Sequence, residues 1–325
     1  EGPTVGRVAV VTGVSRYLGG KMADRLVHQP GVDRVIGIDV VPPASPLAAD
    51  FIRADIRNPS ITKILDGTGA DTVVHMGVIA TPRQAGNRSV MKDINVIGTM
   101  QLLGACQRVD SVRHVVVKST AAVYGSGPRD PALITEDSSP RHPPTSGWAK
   151  DSMEVEEYVR GFARRRPDVG VATLRFANIV GPGMRTGMTS YLTMPIVPTV
   201  LGFDPRLQFV HEEDALEVTR RVVLQRTTGT FNVAGDGVVL LSQALGRLGA
   251  SSVPLPAALV PSVGRTLARG AWADFSRDQV RYLTHGRVLD TTRVAAEVGF
   301  ECQYSSDDAF GSFVRGSRRE AASYG

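Results

Sequence analysis

The chain has 325 residues, enough to bury a substantial core in one or two domains. Its 37 Lys and Arg against 32 Asp and Glu leave a formal charge of +5, with no dense basic block, so the footprint of a nucleic-acid binder is missing. Two cysteines far apart and six scattered histidines exclude a disulfide framework and a dedicated metal site, and no apolar run reaches the ~18 residues of a membrane span. Residues 1–6 show no charged-then-apolar secretory pattern, and the expectation is a soluble cytoplasmic protein.

In chain order, strands are predicted at 7–12, 34–39, 51–54, 72–76, 113–119 and 171–176, and helices at 17–28, 59–66, 88–108 and 147–166. Several of these strands are apolar on consecutive residues, as parallel strands covered on both faces must be. The alternation implies right-handed βαβ units and an α/β fold built on a Rossmann-type, doubly wound parallel sheet. After Arg175 the texture changes: residues 181–208 are rich in Gly and Pro, followed by a helix over 212–225, a strand over 230–234 and a helix from Ser242. Residues 1–178 read as a nucleotide-binding domain whose sheet is completed by about 206–235. Residues 179–325 read as mainly a smaller substrate lobe, interleaved with it. Within 257–272, Pro261 and Gly264 are expected to interrupt any membrane-surface helix.

VTGVSRYLGG (11–20) follows the first strand and opens the first helix, the context that makes a glycine loop informative. Gly13 permits the tight turn and Gly19 lets helix and strand pack closely, while the helix N-terminus at Tyr17 and Leu18 offers free N–H groups to a pyrophosphate. Arg16 holds the place of the middle glycine. Asp39 ends the second strand, where a carboxylate suits both hydroxyls of an adenosine ribose and repels a 2′-phosphate. Asp55, in RADIR, is placed to meet the adenine amino group; capping or turn roles stay open for both aspartates. Arg16 pulls toward NADP and Asp39 toward NAD, and no Arg or Lys follows in VVPPASP to hold a 2′-phosphate, so NAD is the expected cofactor.

With these pieces in place, the chain resembles the extended short-chain dehydrogenase/reductase family, notably its UDP-galactose 4-epimerase and sugar-nucleotide dehydratase group. The likeness runs over about residues 7–300, with the motifs in family order: VTGxxxxxG at 11–19, Asp39, and DIR at 55–57. HMGVIA (75–80) resembles the segment passing beneath the cofactor, and NVIGTMQLLGAC (95–106) the NVxGTxNLLxAC helix. KSTAAVYG (118–125), LRFANIVGPG (174–183), FVHEEDA (209–215) and LDTTRVAAEVGF (289–300) complete the set. The resemblance implies cofactor contacts from Ile56, Met76, Gly77, Asn95 and Lys150, and a substrate-phosphate contact from Asn178. It implies a nucleotide sugar as substrate, and a homodimer through the helices at about 88–108 and 147–166.

The same resemblance assigns the chemistry to Thr120 and Lys150, and places Ser146 where the family carries its catalytic tyrosine. A serine hydroxyl is less acidic than a phenol of pKa ~10 and reaches less far, so the replacement removes a general base worth typically ~10²–10⁴-fold. Three repairs are open: a bridge through substrate or water from Ser146, another base such as His142, Tyr124 or Tyr191, or loss of redox chemistry with nucleotide binding kept. Two functions therefore compete. One is an epimerase/dehydratase-like oxidoreductase working by transient hydride transfer; the other is a non-catalytic NAD-binding sensor or scaffold.

Overall fold

The computed structural model describes residues 6–77, 88–267 and 275–323. Seven parallel strands form its main sheet: β1 Arg7–Thr12, β2 Val32–Asp39, β3 Asp50–Arg53, β4 Thr72–His75, β5 His114–Thr120, β6 Gly170–Phe176 and β7 Gly229–Val233. Across the sheet they lie in the order β3-β2-β1-β4-β5-β6-β7. The order reverses between β1 and β4, which puts a crevice at their C-terminal ends, the place where open α/β sheets receive ligands. Consecutive residues of the central strands are buried alike: Val10, Val11, Val73, Val74, Val115 and Val116 are all at most 1% exposed, because helices cover both faces.

One face is packed by α2 (Ile61–Thr68), α4 (Gly98–Arg108) and α5 (Gly147–Arg165), through Leu65, Leu102 and Phe162. The other is packed by α1 (Tyr17–Val27) and α6 (Glu212–Gln225), through Met22, Leu26 and Leu216. The predicted helix over 88–108 is present but not regular. A short α3 (Arg88–Lys92) passes through a π-turn at Asp93–Ile97 before α4 begins, and Asn95 sits in that turn. Inserted π-turns commonly mark places where a side chain is re-aimed toward a site.

Beyond β6 the chain leaves the sheet and returns to it only at β7. The short strands Arg206–Leu207 and Phe209–His211 pair with Val239–Leu240 and Asn178–Val180 in two-stranded sheets, so residues 206–211 do not complete the main sheet. A second apolar core lies here, centred on Tyr191, Phe209, Leu283, Phe310 and Phe313. Val260–Leu267 is helical despite Pro261 and Gly264, correcting the expected interruption. Proline in a first turn removes no intrahelical donor, and Gly264 lies where a Cβ would fall 2.4 Å from the Phe275 ring. Residues 268–272 of that stretch, and 78–80 of HMGVIA, lie outside the described residues. Among the described residues, no helix is long and apolar enough to cross a membrane.

Candidate active site

The glycine loop is built for close approach. Gly13 has φ +80°, and a Cβ there would stand 2.6 Å from the Gly77 Cα; a Cβ on Gly19 would stand 2.1 Å from the Gly13 carbonyl oxygen. The amides of Tyr17, Leu18 and Gly19 open α1 and no intrahelical carbonyl can reach them, which leaves a donor set for an anion. Asp39 lies against this loop: its Oδ2 accepts from the Ser15 amide (3.1 Å) and hydroxyl (2.6 Å). Arg16 turns the other way. Its guanidinium donates to the Gly77 carbonyl at 2.9 Å, bridging the ends of β1 and β4. Asp55 is held by Arg57 (2.6 Å); Met76, just after β4, is 4% exposed and Asn95, in the π-turn, 1%. Ile56 packs beside Gly98 at the start of α4.

From Leu18 a cavity of about 830 Å³ of empty space, open to solvent, runs across the end of β5 to the segment after β6. Thr120, Trp148, Ser152, Asn178 and Lys118 line it. A smaller cavity continues past Thr120 and Asn178 to Gln208, Tyr282 and Arg287. Thr120 also caps the short turn after β5, accepting from the Ala122 amide at 3.1 Å. Asn178 donates to the Tyr282 hydroxyl at 2.6 Å.

The structure does not bring Ser146 and Lys150 to this cavity. The Ser146 hydroxyl donates to Asp278 at 2.6 Å, and the same carboxylate oxygen accepts from the Thr145 and Ser146 amides, tying the start of α5 to α7 (Arg277–His285). Lys150 is half exposed, with its amine 3.8 Å from Glu154 one turn along. The helix instead turns Trp148 and Ser152 inward. Tyr124 and Tyr191 are not available as bases either. Tyr124 donates to Asn232 (2.7 Å) and accepts from Arg175, and Tyr191 donates to the Pro198 carbonyl (2.8 Å); both are buried. The His142 ring lies against Gly127. Tyr282 lines the smaller cavity, and burial pushes its pKa up.

Two cations escaped the motif reading. Lys118 lies two residues before Thr120 on β5, so both side chains leave the same face of the sheet. Burial first, then the charge of Arg16, push its pKa down to about 8. Arg287 packs its guanidinium 4.7 Å from the Tyr282 ring, and its Nε is buried without a partner among the described residues. The signal for Lys118 was present as strand alternation; Arg287 had none, since its loop approaches β5 only in the folded chain.

Residues 9–234, more than two-thirds of the chain, match the NAD dependent epimerase/dehydratase family. The chain belongs to that family. An uncharacterized protein of Mycobacterium tuberculosis is 43% identical to it over 321 residues, spanning 97% of this chain and 85% of the relative. UDP-glucose 4-epimerase of Streptomyces lividans is 30% identical over 202 residues, covering 59% of this chain and 58% of the enzyme. Among solved structures, the dTDP-glucose 4,6-dehydratase DesIV of Streptomyces venezuelae superposes with a TM-score of 0.74 at 22% identity, over 97% of this chain and 98% of its own. UDP-glucose 4-epimerase of Thermotoga maritima gives 0.72 at 18%, over 97% and 99%. At such identities these two speak for the fold of this epimerase/dehydratase-family protein.

Proposed function

We propose that the protein is an NAD-dependent oxidoreductase of the epimerase/dehydratase kind, acting on a hydroxyl of a nucleotide sugar. The observation that carries this reading is the single cavity joining the helix N-terminus at Leu18 to Thr120 and Asn178. The loop residues fit a dinucleotide: Gly13 and Gly19 leave no room for side chains, the α1 amides are open to a pyrophosphate, Arg16 ties the loop to Gly77, and Asp39 stands at the strand end where a ribose is read. Bound there, NAD supplies the store for a hydride. Thr120 holds the reacting hydroxyl and Asn178, on the far wall, orients the substrate. Residues 1–178 with β7 carry the cofactor, and the remainder forms the substrate lobe. A homodimer through the helices of 88–108 and α5 is supported by Ile97 and Tyr158, 39% and 37% exposed on them.

A second reading, an NAD-binding protein without turnover, is favoured by the placement of Ser146 and Lys150 outside the cavity. Calorimetric titration with NAD and NADP, followed by incubation of the NAD complex with UDP-glucose, UDP-galactose and dTDP-glucose, separates the two. The catalytic reading expects tighter binding of NAD than NADP, and conversion of at least one sugar. Tight NAD binding with no conversion supports the sensor, and equal affinity for NADP overturns the assignment to Asp39.

A further inference from the structure

The main cavity poses a chemical question: a hydroxyl that gives up hydride must also give up a proton, and the tyrosine position holds a serine turned toward Asp278. Among the described residues that line the cavity, Lys118 is the ionisable side chain. We propose, resting on the catalytic reading above, that the Lys118 amine is the general base, taking the proton of the substrate hydroxyl that Thr120 holds. As the carbinol C–H bond breaks, its electron pair leaves as hydride for the bound NAD. The O–H proton passes to the amine, so the products are a ketone, the reduced cofactor and an ammonium; the reverse transfer returns both.

Four observations converge on this residue. Lys118 shares its sheet face with Thr120, one strand repeat away, while Ser119 between them points to the opposite face and donates to Glu156 at 2.6 Å. No hydrogen bond or ion pair holds the Lys118 amine among the described residues, so it is free to meet a ligand. The charged and titratable groups around it are Arg16, from the glycine loop, and His75, from β4; the elements on the α5 side contribute the neutral Trp148 and Ser152. His75 is itself neutral, hydrogen-bonded between Thr12 and Thr99 and pushed down to about 4 by burial and by the charges of Lys118 and Arg16. With a cation beside it and no carboxylate opposite among the described residues, the amine titrates near neutrality, at about 8.

The choice of lysine matters. Only five of the chain's 37 basic residues are lysine: Lys21, Lys63, Lys92, Lys118 and Lys150. An arginine at 118 would satisfy an anion but could not release its proton, whereas a desolvated lysine can. A group near pH 8 is matched to proton transfer at physiological pH.

The test has an arm that needs no substrate. Reductive dimethylation with carbon-13 labels the five lysines, and the resonance missing from Lys118→Met identifies Lys118. We expect it to titrate near pH 8; titration at the ~10.4 of a free lysine side chain overturns the proposal whatever the activity. The second arm gives the NAD complex UDP-glucose, UDP-galactose and dTDP-glucose, and follows conversion against pH. Lys118→Met and Lys118→Arg are both expected to lose ~10²–10⁴-fold in kcat with NAD affinity within a few-fold of wild type. Methylamine or ethylamine should restore part of the rate to Lys118→Ala, and Tyr282→Phe should keep the pH limb near 8. Full rate in Lys118→Arg, or a loss confined to NAD affinity, makes Lys118 a phosphate holder and overturns the base. Wild-type conversion that Lys118→Met leaves intact also overturns the base alone. If no sugar is converted while Lys118 titrates near 8, the oxidoreductase reading fails, and the base role fails with it.

Discussion

Arg175 and Lys118 are buried cations on adjacent strands, and their surroundings are opposite. The register pairs Ser119 with Arg175 and Lys118 with Leu174, so the two residues are diagonal neighbours that leave opposite faces of the sheet. Arg175 is fully engaged: it grips the Glu156 carboxylate from Nε and Nη2, and donates from Nη1 to the Tyr124 hydroxyl and the Glu136 carbonyl. Tyr124 continues the network to Asn232, whose amide donates to Glu136. On the other face Lys118 meets a cavity. A buried charge with every bond satisfied holds strands and helix in register; one left open toward a cavity is placed for a ligand or a proton.

The comparison is broken most forcefully at Glu156. Its replacement by Leu strands the Arg175 charge beneath the sheet and is expected to cost about 3–5 kcal/mol in denaturant unfolding. Replacing the pair together, Glu156→Leu with Arg175→Met, should return much of that loss; no recovery would mean the wider network, rather than the pair, holds this face. Lys118→Met, by contrast, strands no partner and removes an amine whose protonation burial and Arg16 disfavour, so it should raise stability near neutral pH.

His75 supplies the next effect, through pH. Burial keeps its imidazole neutral with a pKa of about 4 against 6.5 in the unfolded chain, so below pH 6.5 the unfolded state binds the extra proton. Stability contributed by His75 is complete above 6.5 and is lost as the pH falls toward 4, by about 3 kcal/mol. Chemical unfolding across that window measures it, and His75→Gln should flatten the His75 component.

Asp278 comes third. Its carboxylate accepts from the Thr145 and Ser146 amides and the Ser146 hydroxyl, so Asp278→Asn is expected to cost about 1.5–3 kcal/mol. The smallest effect belongs to Ser146→Ala, about 1 kcal/mol of stability with unchanged NAD affinity and turnover. A fall in kcat at constant stability in that variant would return Ser146 to the chemistry.

The sheet and its helices were legible because burial on both faces forces continuous apolar strands, and amphipathic helices must alternate with them. RVAVVT matched a strand at Arg7–Thr12, and 212–225 a helix at Glu212–Gln225, to the residue. The π-turn around Asn95 left no comparable trace, because one wide turn of five residues is too short to show as a period of its own between two helical stretches. In the site, Thr120 and Asn178 were found by motif and do line one cavity. Ser146 and Lys150 were found by the same means and do not. Motif spacing fixes which residues share a turn of helix, and it says nothing of how that helix is rolled about its axis.

What the sequence determined by itself is therefore local and periodic: the order of strands and helices, the glycines at 13 and 19, the aspartate at a strand end, and the pairing of Lys118 with Thr120 on one strand face. What only the tertiary structure decided depends on contacts distant in the chain. Asp278, 132 residues from Ser146, draws that hydroxyl away from the cavity, and Glu156 claims Arg175 while no carboxylate among the described residues reaches Lys118. A charge becomes structural or reactive according to whether folding brings it a partner, and that is a property of packing between elements rather than of any one of them.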